Sequence, residues 1–303
     1  MNPTITAVPG LRAGHASSTR DATGCTVLLG PFRGAVDMRG LATGTREIDA
    51  LSPRHLVPQI NALLLTGGSA PGLAAADGVV QWLRERDIGY AVADTHIPIV
   101  PAAVIFDIHT PGQRSPDAAL GRAACDAATD LPLAEGNVGA GTGATVGKLR
   151  GPAFATRGGV GTWAVEHHAF RIGALAVVNA FGDVLDYDGR IIAGARADDG
   201  SPLDSMRAAL GSSPAAGSAI SNTTLCVIAT DAPLSRVALQ TVARMGSSAI
   251  VRRIAPANTV FDGDAVFALS TAESVRELPP AELLSIGVAA QLALEEAIIR
   301  AVR

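Results

Sequence analysis

Along the first half of the chain, short apolar runs that stop at glycine alternate with longer stretches of helical spacing. CTVLLG (Cys25–Gly30) and NALLLTGG (Asn61–Gly68) are two such runs, and their length and glycine ends predict buried strands. PGLAAADGVVQWLRERD (Pro71–Asp87) carries apolar residues at helical spacing behind an early proline, which predicts a helix directly after the second strand. A second helix is expected at SPDAALGRAACDAA, with Ser115 as its N-cap and Pro116 in its first position. Between them, IPIVPAAVIFDI (Ile97–Ile108) is β-rich but broken by proline, so an edge strand or an irregular passage is expected.

The second half reads differently. FRIGALAVVNAFGDVLD (Phe170–Asp186) followed by DGRIIAGA suggests an antiparallel hairpin, with YDG as its turn. Asp198 to Ser221 is rich in Gly, Ser, Ala and Pro apart from an amphipathic patch at Leu203–Leu210, and a loop of that length inside a domain is functional or disordered. After it come a strand at Thr223–Thr230, a helix started by Pro233, a strand at Ala265–Thr271 and a last helix, Pro280–Val302. The sum is a single layered α/β domain with mixed and antiparallel strands, without a solenoid or propeller repeat.

Composition narrows the function. Charged residues are only 17% of the 303, and with a net charge of −4 there is no basic stripe to neutralise phosphates, so nucleic acid is not an expected partner. MNPTITAVPGLRAGH lacks a basic segment followed by an apolar one, and no apolar run is long enough to span a bilayer. No membrane contact is expected, and a cytoplasmic location is the default. Cys25, Cys125 and Cys226 are odd in number and far apart, which argues against disulfides and for small buried side chains.

The glycine-rich GNVGAGTGATVGKL (Gly136–Leu149) invites a phosphate-loop reading that its spacing refuses. Counted back from Gly147-Lys148, the first glycine of a P-loop falls on Thr142, Leu149 stands where Ser or Thr is needed, and G-x-G-x-x-G fails by one residue. Lys148 then either points to solvent or is held at a reacting centre. TGGSAPG (Thr66–Gly72) misses the nucleophile elbow by one position, which leaves Ser69 as a residue near a helix cap or as a serine nucleophile in an unusual frame. None of the six histidines forms an i, i+4 pair, so no metal is expected.

SNTTLCVIAT (Ser221–Thr230) opens a strand behind the long small-residue segment. Asn222-Thr223-Thr224 matches a glycosylation sequon, but without a secretory signal the match has no consequence. It reads as an Asn turn before β-branched residues, or as a self-cleavage site. In the second case the Thr223 hydroxyl attacks the Asn222 carbonyl, and hydrolysis of the resulting ester leaves Thr223 with a free α-amine of pKa about 8, both nucleophile and base. FDGDAVF sets Asp262 and Asp264 two apart, either as an Asp-Gly turn or as partners that orient a nucleophile.

These segments resemble the L-aminopeptidase/D-esterase family, which includes the β-aminopeptidases and the nylon-oligomer hydrolase. VPGLRAGH, GCTVLL, DMRG with GTRE, LLLTGGSAPGLAAADGV, VPAAVIFD, GNVGAGTGATVGK, VVNAFGDV and NTTLCVIATDAPLS carry the likeness over nearly the whole chain. The resemblance implies an N-terminal-nucleophile hydrolase with an αββα sandwich, cut by itself into residues 1–222 and 223–303, which stay together and assemble into a homo-oligomer, a tetramer of processed pairs. It assigns Thr223 as nucleophile behind Asn222, Lys148 as the lysine beside it, Asn179 as oxyanion donor, and Asp262 and Asp264 as the acidic pair, where aminopeptidase members carry a serine and a glutamate. Phe106 stands where several relatives have tyrosine, so it shapes a pocket wall without a phenolic hydrogen bond. The substrate expected is a small peptide or peptide-like amide, and the chemistry requires no cofactor. Two other readings remain at this level: an unprocessed, non-catalytic relative acting as a binding or assembly module, and a serine hydrolase using Ser69.

Overall fold

The computed structural model describes residues 3–211 and 222–303. Among them, nine strands are joined by hydrogen bonds: β1 (Arg12–Ser18), β2 (Thr23–Met38), β3 (Thr45–Arg46), β4 (Ile60–Thr66), β5 (Ala102–Val104), β6 (Gly159–His167), β7 (Phe170–Asn179), β8 (Thr223–Thr230) and β9 (Ala265–Ser270). Their order is β6-β7-β8-β9-β2-β4-β5-β3, with β1 added to β2. Strand β2 belongs to two layers. Its first half, to Leu29, pairs with β1 and β4, the register slips between Leu29 and Phe32, and its second half pairs with β9.

Alternation along the strands shows what each face meets. Leu63 and Leu65 of β4 share one core with Leu175 and Val177 of β7, Leu225 and Val227 of β8, and Phe267 of β9, so the layers pack face to face. Ala62 and Leu64 point the other way, onto helices α1 (Ala75–Arg84) and α2 (Ala118–Asp126). Cys226 and Ile228 of β8 likewise turn toward α3 (Arg236–Arg253) and α4 (Pro280–Arg300). The result is the αββα sandwich that the family resemblance implies. The period-two pattern is invisible in β4 and β8 because every residue of both strands is buried.

Several local expectations are corrected. Helix α2 is capped by Asp117, whose carboxylate accepts from Leu120 N–H at 3.1 Å, while the Ser115 hydroxyl donates to the Gly68 carbonyl at 2.9 Å. Helix α3 is capped by Ser235, three residues into the stretch that Pro233 was expected to start. The Pro71–Asp87 helix is preceded by a separate turn, Ser69–Gly72, before α1 begins at Ala75.

Strand β5 is interior to its layer, paired with β3 and β4, because Pro98 and Pro101 lie outside its three residues. The hairpin partner of β7 is β6, upstream of it, and the Tyr187-Asp188-Gly189 turn instead joins Asp183–Leu185 to Ile191–Ala193 in a small separate sheet. Part of the long segment after Asp198 is ordered: a helical turn, Ser205–Ala208, is held where buried Asp183 accepts from Ser205 N–H and Oγ at 2.7 Å each. The remainder, from 212 to 221, lies outside the described residues.

Candidate active site

Topology brings three strand ends together. Strands β8 and β9 run parallel, so both start at the same end of the layer, and antiparallel β7 finishes there. Thr223, first in β8, lies opposite Asn179, last in β7. Asp264 immediately precedes β9, and Asp262 forms an isolated parallel bridge with Asn222. Lys148 arrives from the glycine-rich segment, where its backbone N–H donates to Phe181 O at 3.0 Å and that of Gly147 to Gly182 O at 3.1 Å. All five candidate side chains and Asn222 are at most 4% exposed, so the solvent-facing option for Lys148 fails.

Each side chain is held by short polar contacts. Lys148 Nζ donates to the Asn179 backbone carbonyl at 2.9 Å and to Asn179 Oδ1 at 2.7 Å. The same Oδ1 accepts from Thr145 N–H at 3.0 Å, and Asn179 Nδ2 donates to the Phe106 carbonyl at 2.9 Å. Phe106 therefore meets the cluster through its backbone. Asp264 accepts from Thr224 N–H at 2.6 Å and from Asn258 N–H at 3.0 Å, while Asp262 accepts from Thr259 N–H at 2.9 Å and Thr259 Oγ1 at 2.6 Å. The Thr223 hydroxyl donates to the Asn222 carbonyl, the group it would attack in self-cleavage.

Burial sets the proton balance. Loss of water lowers Lys148 to about 7, against the upward pull of Asp262, Asp107 and Asp264. Both Asp262 and Asp264 are pushed up by the same desolvation, Asp264 additionally by its neighbour Asp262. Near neutral pH this cluster can hold or release a proton without large cost, which is what general acid–base chemistry requires. Asp107 was not singled out in the sequence. It is fully buried, burial raises its carboxyl, and it accepts from Gly68 N–H at 2.6 Å. The signal was available as a lone acid closing the apolar run VPAAVIFD.

Ser69 has the left-handed backbone (φ 54°) of a strand-to-helix elbow, but among the described residues no histidine hydrogen-bonds it; the His15, His55 and His109 rings bond elsewhere. The three cysteines are free and buried, with Cys25 and Cys125 pushed up to about 12 by desolvation. Among the described residues no group of three or more metal-type ligands exists, and no helix is long and apolar enough to cross a membrane.

Solved structures share the sandwich. A β-aminopeptidase from Burkholderia sp. shares it with a TM-score of 0.73 and 22% identity, over 99% of this chain and 86% of that one. The L-aminopeptidase D-Ala-esterase/amidase from Ochrobactrum anthropi, described as a new variant among the Ntn hydrolase fold, matches with a TM-score of 0.73 and 24% identity, over 99% and 85%. At the level of sequence, the model of peptidase family S58 matches residues 3–303, and the chain belongs to that family.

Identity is 42% to an uncharacterized aminopeptidase of Mycobacterium tuberculosis, covering 98% of this chain and 88% of the relative. It is 33% to a 6-aminohexanoate-oligomer endohydrolase of Kocuria sp., covering 88% and 74%. The protein is thus an aminopeptidase-like hydrolase, and the family resemblance read from its motifs holds.

Proposed function

We propose that the chain cuts itself between Asn222 and Thr223 and that the freed Thr223 is the nucleophile of an amidase. The observation that carries this reading is the placement of the Thr223 hydroxyl on the Asn222 carbonyl, inside a buried cluster of Lys148, Asn179, Asp262 and Asp264. In the cut, Thr223 Oγ bonds to the Asn222 carbonyl carbon, its proton passes to a base, the C–N bond breaks and the nitrogen is protonated. Water then opens the ester to a carboxylate at Asn222 and an α-amine at Thr223. Before the cut that nitrogen is an amide with no basicity, so Lys148, near neutral pKa, is the base of this step.

In turnover the freed Thr223 attacks the substrate carbonyl, with its own α-amine or Lys148 carrying the proton. Asn179 donates to the oxyanion, and Asp262 and Asp264 orient the nucleophile and balance charge. The two pieces would stay together because β8 and β9, from the C-terminal piece, lie between β7 and β2 from the N-terminal one. Assembly into a homo-oligomer of cut pairs is part of the same reading. The substrates are small peptides or peptide-like amides with a free amine; the relatives named for aminopeptidase activity and for 6-aminohexanoate oligomers support this class. Amine release from short peptide amides and 6-aminohexanoate oligomers tests it: wild type and Ser69→Ala should be active and Thr223→Ala inactive. Activity lost in Ser69→Ala and kept in Thr223→Ala would reverse the assignment.

A further inference from the structure

The Asn222 carbonyl has a second contact that the catalytic assignments above do not use. Gly263 N–H donates to Asn222 O at 3.1 Å. If Thr223 attacks that carbonyl, this oxygen takes the negative charge of the tetrahedral intermediate, and a backbone N–H already aimed at it gains strength as the charge grows. We propose that Gly263 N–H is the oxyanion donor of the self-cleavage step, a role that rests on the cleavage reading and is separate from that of Asn179.

Two features support a catalytic contact over an incidental strand bond. The first is preorganisation. Residues 262–264 are gripped from behind by the loop after β2: Ala42 N–H donates to Asp262 O at 2.9 Å, and Arg39 and Gly40 N–H donate to Asp264 O at 3.0 and 3.1 Å. Asp262 and Asp264 are fixed in turn by Thr259, Thr224 and Asn258, so the amide between them has little freedom to turn away. The second is space. A Cβ at 263 would lie 2.8 Å from Thr223 Oγ1 and 2.8 Å from Ala42 O, so only glycine lets this amide reach the scissile carbonyl without displacing the attacking hydroxyl. The sequence Asp-Gly-Asp, whose glycine looked like a turn former, is then a donor set between two acids.

The test removes one N–H and keeps the shape. Cys226 allows residues 1–225, as a thioester, to be ligated to a synthetic 226–303 segment with no change of sequence. Glycolic acid in place of Gly263 turns its amide into an ester without the donor. Cleavage, followed by intact mass, should slow by about a hundredfold or more relative to the ligated all-amide chain. The α-hydroxy analogue of Leu283, which breaks the bond from Leu283 N–H to Pro279 O at the start of α4, outside the site, should stay within about threefold. Equal slowing by both esters, or a Gly263 ester that cuts as fast as the control, overturns the proposal. Failure of the all-amide chain to cut would instead remove the self-cleavage reading itself. Hydrogen exchange gives a check that needs no ester: in uncut Thr223→Ala the Gly263 amide should be protected, and exchange at the rate of an open loop would overturn its role.

Discussion

Replacing Lys148 by arginine tests the proton balance of the site. Burial brings Lys148 to about 7. An ordinary lysine, at about 10.4, is neutral in only about one molecule in 2,500 at pH 7, so the shift raises the neutral, proton-accepting fraction about a thousandfold, to about half. Self-cleavage of freshly refolded chain, timed by intact mass between pH 5.5 and 9, should therefore rise with pH through about 7 and then level off. Arginine keeps the charge and cannot give up its proton. Lys148→Arg should cut about 10²- to 10⁴-fold more slowly at pH 8 and should lose the inflection near neutrality. The reasoning fails if Lys148→Arg keeps both the rate and the inflection of the wild type.

The other consequences are measurable in the same material. Asp262 exerts the largest upward pull on Lys148, so Asp262→Asn should move the inflection of the cleavage profile to lower pH; a move to higher pH would mean that the carboxylate acts otherwise. Asn179→Ala should lower substrate turnover by about a hundredfold or more if its amide meets the oxyanion, read as kcat in the cut enzyme. Asp183→Ala leaves Ala195 N–H and both Ser205 donors without their acceptor, and should destabilise the fold by about 3 kcal/mol in urea unfolding, with Asp183→Asn recovering part of it.

The layers were legible because apolar runs ending in glycine and helices with one apolar face have few alternatives. What the sequence hid was mostly a matter of distance. Nothing local says that β7 pairs with β6 and β8 in place of the residues after the Tyr187 turn, since any of these strands has the apolar surface to do so. Helix starts slipped by two or three residues because Asp117 and Ser235 compete with Ser115 and Pro233 as caps, and the Ser115 hydroxyl is drawn to Gly68.

At the site, Thr223, Lys148, Asn179, Asp262 and Asp264 were named chiefly by resemblance, and the fold places them within one buried cluster. Asp107 and the Gly263 N–H were missed for different reasons. The first is a single acid in an apolar run, and the second has no side chain for a pattern to register.

The claim on which the rest depends is that the chain severs itself at Thr223. Intact mass of freshly purified wild type beside Thr223→Ala tests it most directly. The account predicts two fragments meeting between Asn222 and Thr223 in the wild type and one full-length chain in the variant. A cut at that bond in both chains, or an uncut wild type that still hydrolyses amides, would contradict it.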